Sequence, residues 1–277
     1  MSRSFCSGLL LAAFAVVSPL QAQDLKTAID GTFAPHAMPK LSGGIEGFNI
    51  DLNDAIAAKL KKKITIDAAQ FSGLVPALQA GTYDFLIAPV TVTKERAESM
   101  LFTEGYLNTD FQFLLKKDQP DFTKLEDLKD KVISVNKGSA YDSWARELAP
   151  KYGWTVESFG TQTDAVQAVM AGRAYANVAG NTAIAWAVKN TPQLKLGYLH
   201  STGLVWAIAL RKDSTALRDT LDETLECLKA DGTITKLHQK WFGTMPAAGS
   251  AAITPFPGHG VPGFTGYDST PHEAKCG

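Results

Sequence analysis

The sequence predicts an α/β protein built from two similar parts, each a mostly parallel sheet covered by helices. Three observations carry this. The composition is that of a globular chain, with 277 residues, 45% hydrophobic and 20% charged. Short apolar runs alternate with segments of helical period. The same alternation then recurs in a second series. A chain of this length buries one large core or two smaller ones. Strands separated by helices favour parallel pairing, because each crossover helix lays an apolar face on the sheet. The formal net charge of -1 gives no basic footprint for nucleic acid, and no such partner is expected.

The first element is a leader. "MSRSFCSGLLLAAFAVVSPLQA" carries one basic residue, Arg3, before an apolar run from Leu9 to Val17, and Ala22 stands at a cleavage point. This predicts a secretory signal peptide over residues 1–22. The run falls short of the ~20 apolar residues of a typical spanning helix. Removing Arg3 would take the formal charge from -1 to -2. Cys6 would leave with the leader. Cys227 and Cys276 then have one intramolecular pairing, so a disulfide is expected in an oxidising compartment, with two free thiols as the alternative.

The first series follows in order. "LKTAI" reads as a strand. "GFNIDLNDAIAAKLKK" places Ile50, Ala55, Ile56 and Leu60 near helical spacing. "KITIDAA" alternates as a strand, "GLVPALQAGTYD" is a helix stopped by Gly81, and "FLIAPV" is a buried strand. Thr93 then reads as the cap of a short helix carrying Arg96.

The second series repeats the scheme. "KVISVNKGSAYDSWARELAPKYG" reads strand, glycine turn, helix, and "TVESFG" is a strand. "TQTDAVQAVMAGRA" is a helix capped by Thr161 or Thr163. "YANVAGN" is a short strand, "TAIAWAVKN" a helix and "GLVWAIALRK" a strand. "TALRDTLDETLECLKADGTITKLHQKWFG" is helical with a break near Asp231-Gly232. The remainder, rich in Pro and Gly, reads as an extended appendage held by the disulfide.

Seven segments together resemble a known family. They are "IDGTFAPHAM", "GFNIDLNDAIAAKL", "FSGLVPALQAGTYD", "TVTKERAESMLFTEGY", "LEDLKDKVISVNKGSAY", "AVQAVMAGRA" and "LKADGTITKLHQKWFG". In order and spacing they are similar to the extracytoplasmic solute-binding proteins of polar amino-acid ABC importers, family 3, of the glutamine, histidine and lysine-arginine-ornithine type. The resemblance runs from about Asp24 to Gly243. It implies the type II periplasmic binding fold: two lobes, a two-strand hinge and a ligand cleft between them. The lobes would be 23–113 with 206–245, and 114–205, with a tail over 246–277. The crossings are expected near Phe111–Leu115 and Leu204–Ile208. The resemblance further implies a periplasmic monomer that captures an amino-acid-like solute for an inner-membrane ABC permease, with no cofactor, metal or nucleophile.

The resemblance also names site residues. Arg96 would grip the ligand carboxylate through paired hydrogen bonds, helped by Thr91 and a backbone group near Pro89. A cation at a helix start opposes the helix dipole, which independently favours an anionic partner. Phe33 and Phe71 match aromatic positions that sandwich ligand and stand at strand-to-loop junctions; as apolar residues they equally suit a core. Asp30 matches an acidic position for a cationic group, or serves turn chemistry in "DG". Gly138, Ser139 and Ala140 would offer backbone N–H groups at a helix start, with Ser139 also suited to capping.

One departure stands out. The resemblance implies an aspartate for the ligand ammonium where this chain reads "GRAYANVAGN", with Gly180 at the aligned position and Tyr175 at another acidic one. Asn181, Asn177 or Asp30 would substitute, only Asp30 with charge, and Gly180 is expected to leave room. The ligand is therefore expected to be a carboxylate whose amine is absent, substituted or displaced. His36, where an aromatic is usual after proline, is expected to line the first loop. Trp144, Trp154, Trp186 and Trp206 are expected to pack, and His259 and His272 are too scattered to argue a metal site. Two other classes share the fold: an exported prephenate-type dehydratase, with Asp30, Glu46 or His36 as proton donor, and a sensory partner of a receptor.

Overall fold

A computed structural model describes residues 24–276. The expected signal peptide, with Cys6, lies outside the described residues. The first series folds as anticipated. β1 (Leu25–Ile29) lies between β4 (Ile64–Ala68) and β5 (Phe85–Thr91), both parallel to it. A two-residue ribbon, β2 (Met38–Pro39) with β3 (Ile45–Glu46), precedes α1 (Phe48–Leu60). Phe48, Leu52 and Ile56 recur every fourth residue on α1 and are fully buried, which seats the helix on the sheet. α2 (Phe71–Gln79) connects β4 to β5. All seven residues of β5 are buried.

Thr93 caps α3 (Lys94–Ser99), its Oγ1 accepting from Arg96 N–H at 3.3 Å. β6 (Met100–Phe102) and β7 (Leu107–Lys116) follow. The second series comprises a 3-10 turn at Leu125–Leu128, β8 (Val132–Asn136), α4 (Ala140–Tyr152), β9 (Thr155–Phe159), α5 (Gln162–Met170), β10 (Ala176–Gly180) and α6 (Asn181–Asn190). Thr161, not Thr163, caps α5. β11 (Leu194–Arg211) then leads to α7 (Thr215–Ala230) and α8 (Thr233–Phe242), which part at Gly232, where φ is 76°.

The strands run in the order β4-β1-β5-β11-β7-β10-β8-β9, with β6 also on β11. Long β7 and β11 join two half-sheets. The end of β11 pairs with β5 at Trp206–Leu210, and its start pairs with the end of β7. Phe111–Leu115, expected as a crossing, pairs along its length with β10 and so belongs to the second half. The strands change company a few residues earlier, where Leu107–Thr109 faces Leu204–Trp206. β11 also begins well before the expected "GLVWAIALRK". Its first ten residues are mostly half-exposed, and Gly197 and the polar run 200–203 cut short the alternation of Leu194, Leu196 and Tyr198.

The tail is less loose than an appendage. The Cys227–Cys276 disulfide is formed, and side chains beneath the tail hold it as well. Asn108 Oδ1 accepts from Ala251 N–H, Glu104 Oε2 from Phe256 N–H, and Asp222 Oδ2 from Gly260 N–H. Arg218 Nη1 donates to Gly266 O at 2.8 Å. Glu104 pairs with Lys229 at 2.8 Å, both side chains fully buried, and Lys229 also donates to Gly105 O and Thr254 O. No helix among the described residues is long and apolar enough to cross a membrane.

Candidate functional site

The strand ends of the first half and the start of α4 in the second meet in one cleft. Its walls are Asp30, Phe33, Phe71, Pro89, Thr91, Arg96, Ser139, Ala140 and Tyr141. Eight of the nine expected ligand residues are therefore brought together. The walls stand nearly closed on one another, leaving a cavity of about 10 Å³.

Arg96 is the cationic end. Nη1 donates to Thr91 O at 3.0 Å, and Nη2 crosses the cleft to Gly138 O at 3.0 Å. Its carbon lies 5.8 Å from the Phe71 ring centre, a cation–π contact. Burial draws its pKa down to about 10, opposed by Tyr141 and Glu95, so it stays charged at neutral pH. Both hydrogen bonds go to carbonyls, and a guanidinium has five N–H groups. Donors therefore remain for an anion.

Thr91, beside it, accepts from Trp206 Nε1–H at 3.1 Å, which leaves its own hydroxyl hydrogen to donate. Pro89 is tolerated inside β5 because the register with β11 shifts there, between Ala207 and Ala209.

Asp30 is the anionic end and is 2% exposed. Oδ1 accepts from Thr32 N–H at 2.9 Å and from the Thr32 hydroxyl at 2.7 Å. Oδ2 accepts from Asn136 Nδ2 across the cleft at 3.1 Å. The turn role is filled, and every hydrogen-bond donor to Asp30 is a neutral group. Ser139 caps α4, accepting from Asp142 N–H at 3.0 Å. The amides expected to face ligand are partly committed. Gly138 N–H is taken by Asp142 Oδ2, and Ser139 N–H by Asn136 O. Ala140 and Tyr141 remain in the first helical turn, where amides lack intrahelical carbonyls.

Two cleft residues were not anticipated. Tyr141 lies close enough to both charged ends that Asp30 and Arg96 act on its phenol in opposite senses, while burial is the main cause of its raised pKa. Asn136 supplies the Asp30 contact. A signal existed: both flank "KGSA", one on the strand end and one in the first turn of the helix.

Asn181 is the expected residue that does not join. It opens α6 and lines a separate outer groove with Thr182, Trp186, Trp241 and Phe242. That groove is larger but has no carboxylate in its lining, so it lacks the opposed charges of the inner cleft. Nor does Gly180 leave room. The Trp206 indole occupies the space, and a Cβ at Gly180 would collide with it. Trp206 is 1% exposed and packs at the cleft edge against Phe33 and His36. His36 does more than line a loop: it is wholly buried, with both ring nitrogens hydrogen-bonded. Asn177 is buried among Gln162 and Ser134, and Tyr175 bonds Pro120 O. His259 and His272 stack at 3.8 Å, and among the described residues no group of three or more potential ligands could hold a metal ion.

Residues 25–244 match the sequence model of a family described as bacterial extracellular solute-binding proteins, family 3. The chain is 29% identical over 242 residues to the ABC transporter arginine-binding protein 1 of Escherichia coli, covering 84% of this chain and 96% of that one. It is 26% identical over 228 residues to the lysine/arginine/ornithine-binding periplasmic protein of the same organism, covering 79% and 88%. Among solved structures, an ancestral arginine-binding protein bound to arginine superposes with a TM-score of 0.76 at 34% identity, over 79% of this chain and 98% of that one.

Proposed function

The chain belongs to the bacterial extracellular solute-binding proteins, family 3, and from that premise we propose that it captures a small amino-acid-like zwitterion for an ABC importer. The observation that carries this reading is the pair of opposed charges on one cleft, half-buried Arg96 and buried Asp30. The carboxylate lies on Arg96 and Thr91, between the rings of Phe33 and Phe71. The cationic nitrogen, free or N-substituted, lies toward Asp30, with Asn136 and Tyr141 at its side.

Charge counting sets the ligand class. Arginine brings two cationic groups and one carboxylate. This cleft offers one carboxylate, because Trp206 fills the space beside Gly180. An uncompensated buried charge costs about 3–5 kcal/mol. A solute with a single cationic nitrogen is therefore favoured over arginine.

Solute bridging lobe 1 and lobe 2 stabilises the closed form, since only differential affinity for that form can shift the equilibrium. The relatives' names support export and an ABC permease partner. None of the three proton donors expected for the dehydratase alternative stands free in the cleft. Asp30 is held by Thr32 and Asn136, both His36 nitrogens are engaged, and Glu46 is outside the cleft lining.

Calorimetric titration with neutral amino acids, their N-methylated forms and L-arginine tests the proposal. A neutral zwitterion should bind more tightly than arginine and weaken at least tenfold in Asp30→Asn. Tight binding of an unmodified amino acid that Asp30→Asn leaves unchanged would sink it.

A further inference from the structure

We propose that His36 is a positioning residue for lobe closure: its neutral imidazole ties the lobes together through Thr182, so that acid favours the open cleft and release of solute. This rests on the closure reading above, and its test needs no ligand.

The hydrogen bonds fix the tautomer. Asn49 Nδ2 donates to Ile87 O at 2.6 Å and to the Tyr106 hydroxyl at 2.7 Å. Asn49 Oδ1 is then an acceptor, and the His36 proton sits on Nδ1, 2.9 Å away. Nε2 keeps its lone pair and accepts from the Thr182 hydroxyl at 2.8 Å. His36 belongs to the loop after β1 and Thr182 to the first turn of α6, so the bond spans the lobes. Other bonds that cross are Asn136 to Asp30, Arg96 to Gly138 O and Thr163 to Thr32 O. Of these four, this one alone uses an imidazole.

The ring sits among uncharged groups. Phe33 meets it from its own loop, Phe48 and Asn49 from α1, Trp206 from β11, Phe242 from α8 and Thr182 from α6. Behind that shell stand two titratable groups, Tyr106 behind Asn49 and His238 behind Phe242. Within the shell no carboxylate pairs with an imidazolium. Packing alone would be served by a phenyl ring, so the imidazole adds something packing does not require.

Burial holds the His36 pKa down to about 4, from an ordinary 6.5, against the opposing Asn49 bond. Parting the lobes exchanges Thr182 for water at Nε2 and lets the ring return toward its ordinary value. The open form therefore binds the proton more readily. Closure is complete above the ordinary imidazole pKa and is lost progressively as pH falls from there toward 4. Between pH 7.5 and 5 the closed-to-open ratio should fall about tenfold.

Cysteines at Gln70 and Gly160 report closure, because a side chain at Gly160 would touch the Gln70 amide across the cleft. The readout is the rate at which a short bifunctional thiol reagent joins them in the ligand-free protein. Adding His36→Gln to the same background cancels the reagent's own pH dependence. The parent rate, divided by the His36→Gln rate, should fall about tenfold between pH 7.5 and 5. Thr182→Val, on the opposite lobe, should slow joining at pH 7.5 several-fold and stands in if His36→Gln does not fold. A ratio that is flat across this range, or a Thr182→Val protein that joins as fast as its parent, overturns the proposal.

Discussion

At the residue scale, Gly180 and Trp206 act as one unit. Where relatives of this kind would place an aspartate, the chain removes a side chain and fills the gap with an indole that also orients the Thr91 hydroxyl. Gly180→Asp alone should lower stability by about 1–3 kcal/mol in denaturant unfolding, because the site is already full. Combined with Trp206→Ala, its cost should be less than additive, since the collision disappears. The paired variant should gain affinity for L-arginine in calorimetry by restoring a second carboxylate. The lining of the cleft was largely legible in the sequence, because its residues sit at strand ends and helix starts in a recognisable order. The filling of Gly180 was not. It depends on a tryptophan far along the chain that reads as ordinary packing, and no local pattern announces which cavity such a ring will occupy.

At the element scale, the tail shows what composition conceals. Its Pro and Gly content correctly predicts no regular structure, and the two cysteines correctly predict one anchor. The other anchors are polar and charged side chains of the β6–β7 connection, of β7 and of α7, whose partners are tail backbone groups that any sequence possesses. Burial raises Glu104 to about 7 and Asp222 to about 8, and it lowers Lys229. Lys229 is tied to Glu104 and to two carbonyls. Lys229→Met should therefore cost about 3–5 kcal/mol of unfolding free energy, because Glu104 is left buried without its partner. Adding Glu104→Gln should recover part of that loss. Equal costs for the single and double variants would show that the pair is not coupled. The first half of β11 was missed because it is half-exposed and carries two glycines, unlike the continuously buried apolar run of β5.

At the scale of the whole molecule, the two half-sheets meet along β7 and β11, and the cleft beside that seam holds both charged ends. The alternation of strands and helices made the two-part α/β architecture legible before any contact was known. The seam's position was not, because Phe111, Phe113, Leu114 and Leu115 would be buried apolar residues in either half. Arg96 bonds Gly138 O and Asn136 bonds Asp30 across the cleft, so the residues proposed to hold the solute also link its two walls. Mass spectrometry of small molecules released from the freshly purified protein, compared with Arg96→Ala prepared identically, tests this most directly. The account predicts that the wild type releases a small zwitterion with one carboxyl group and one basic nitrogen, and that Arg96→Ala releases none. Release of the same compound in equal amount from both proteins, or of a compound without a carboxyl group, would contradict it.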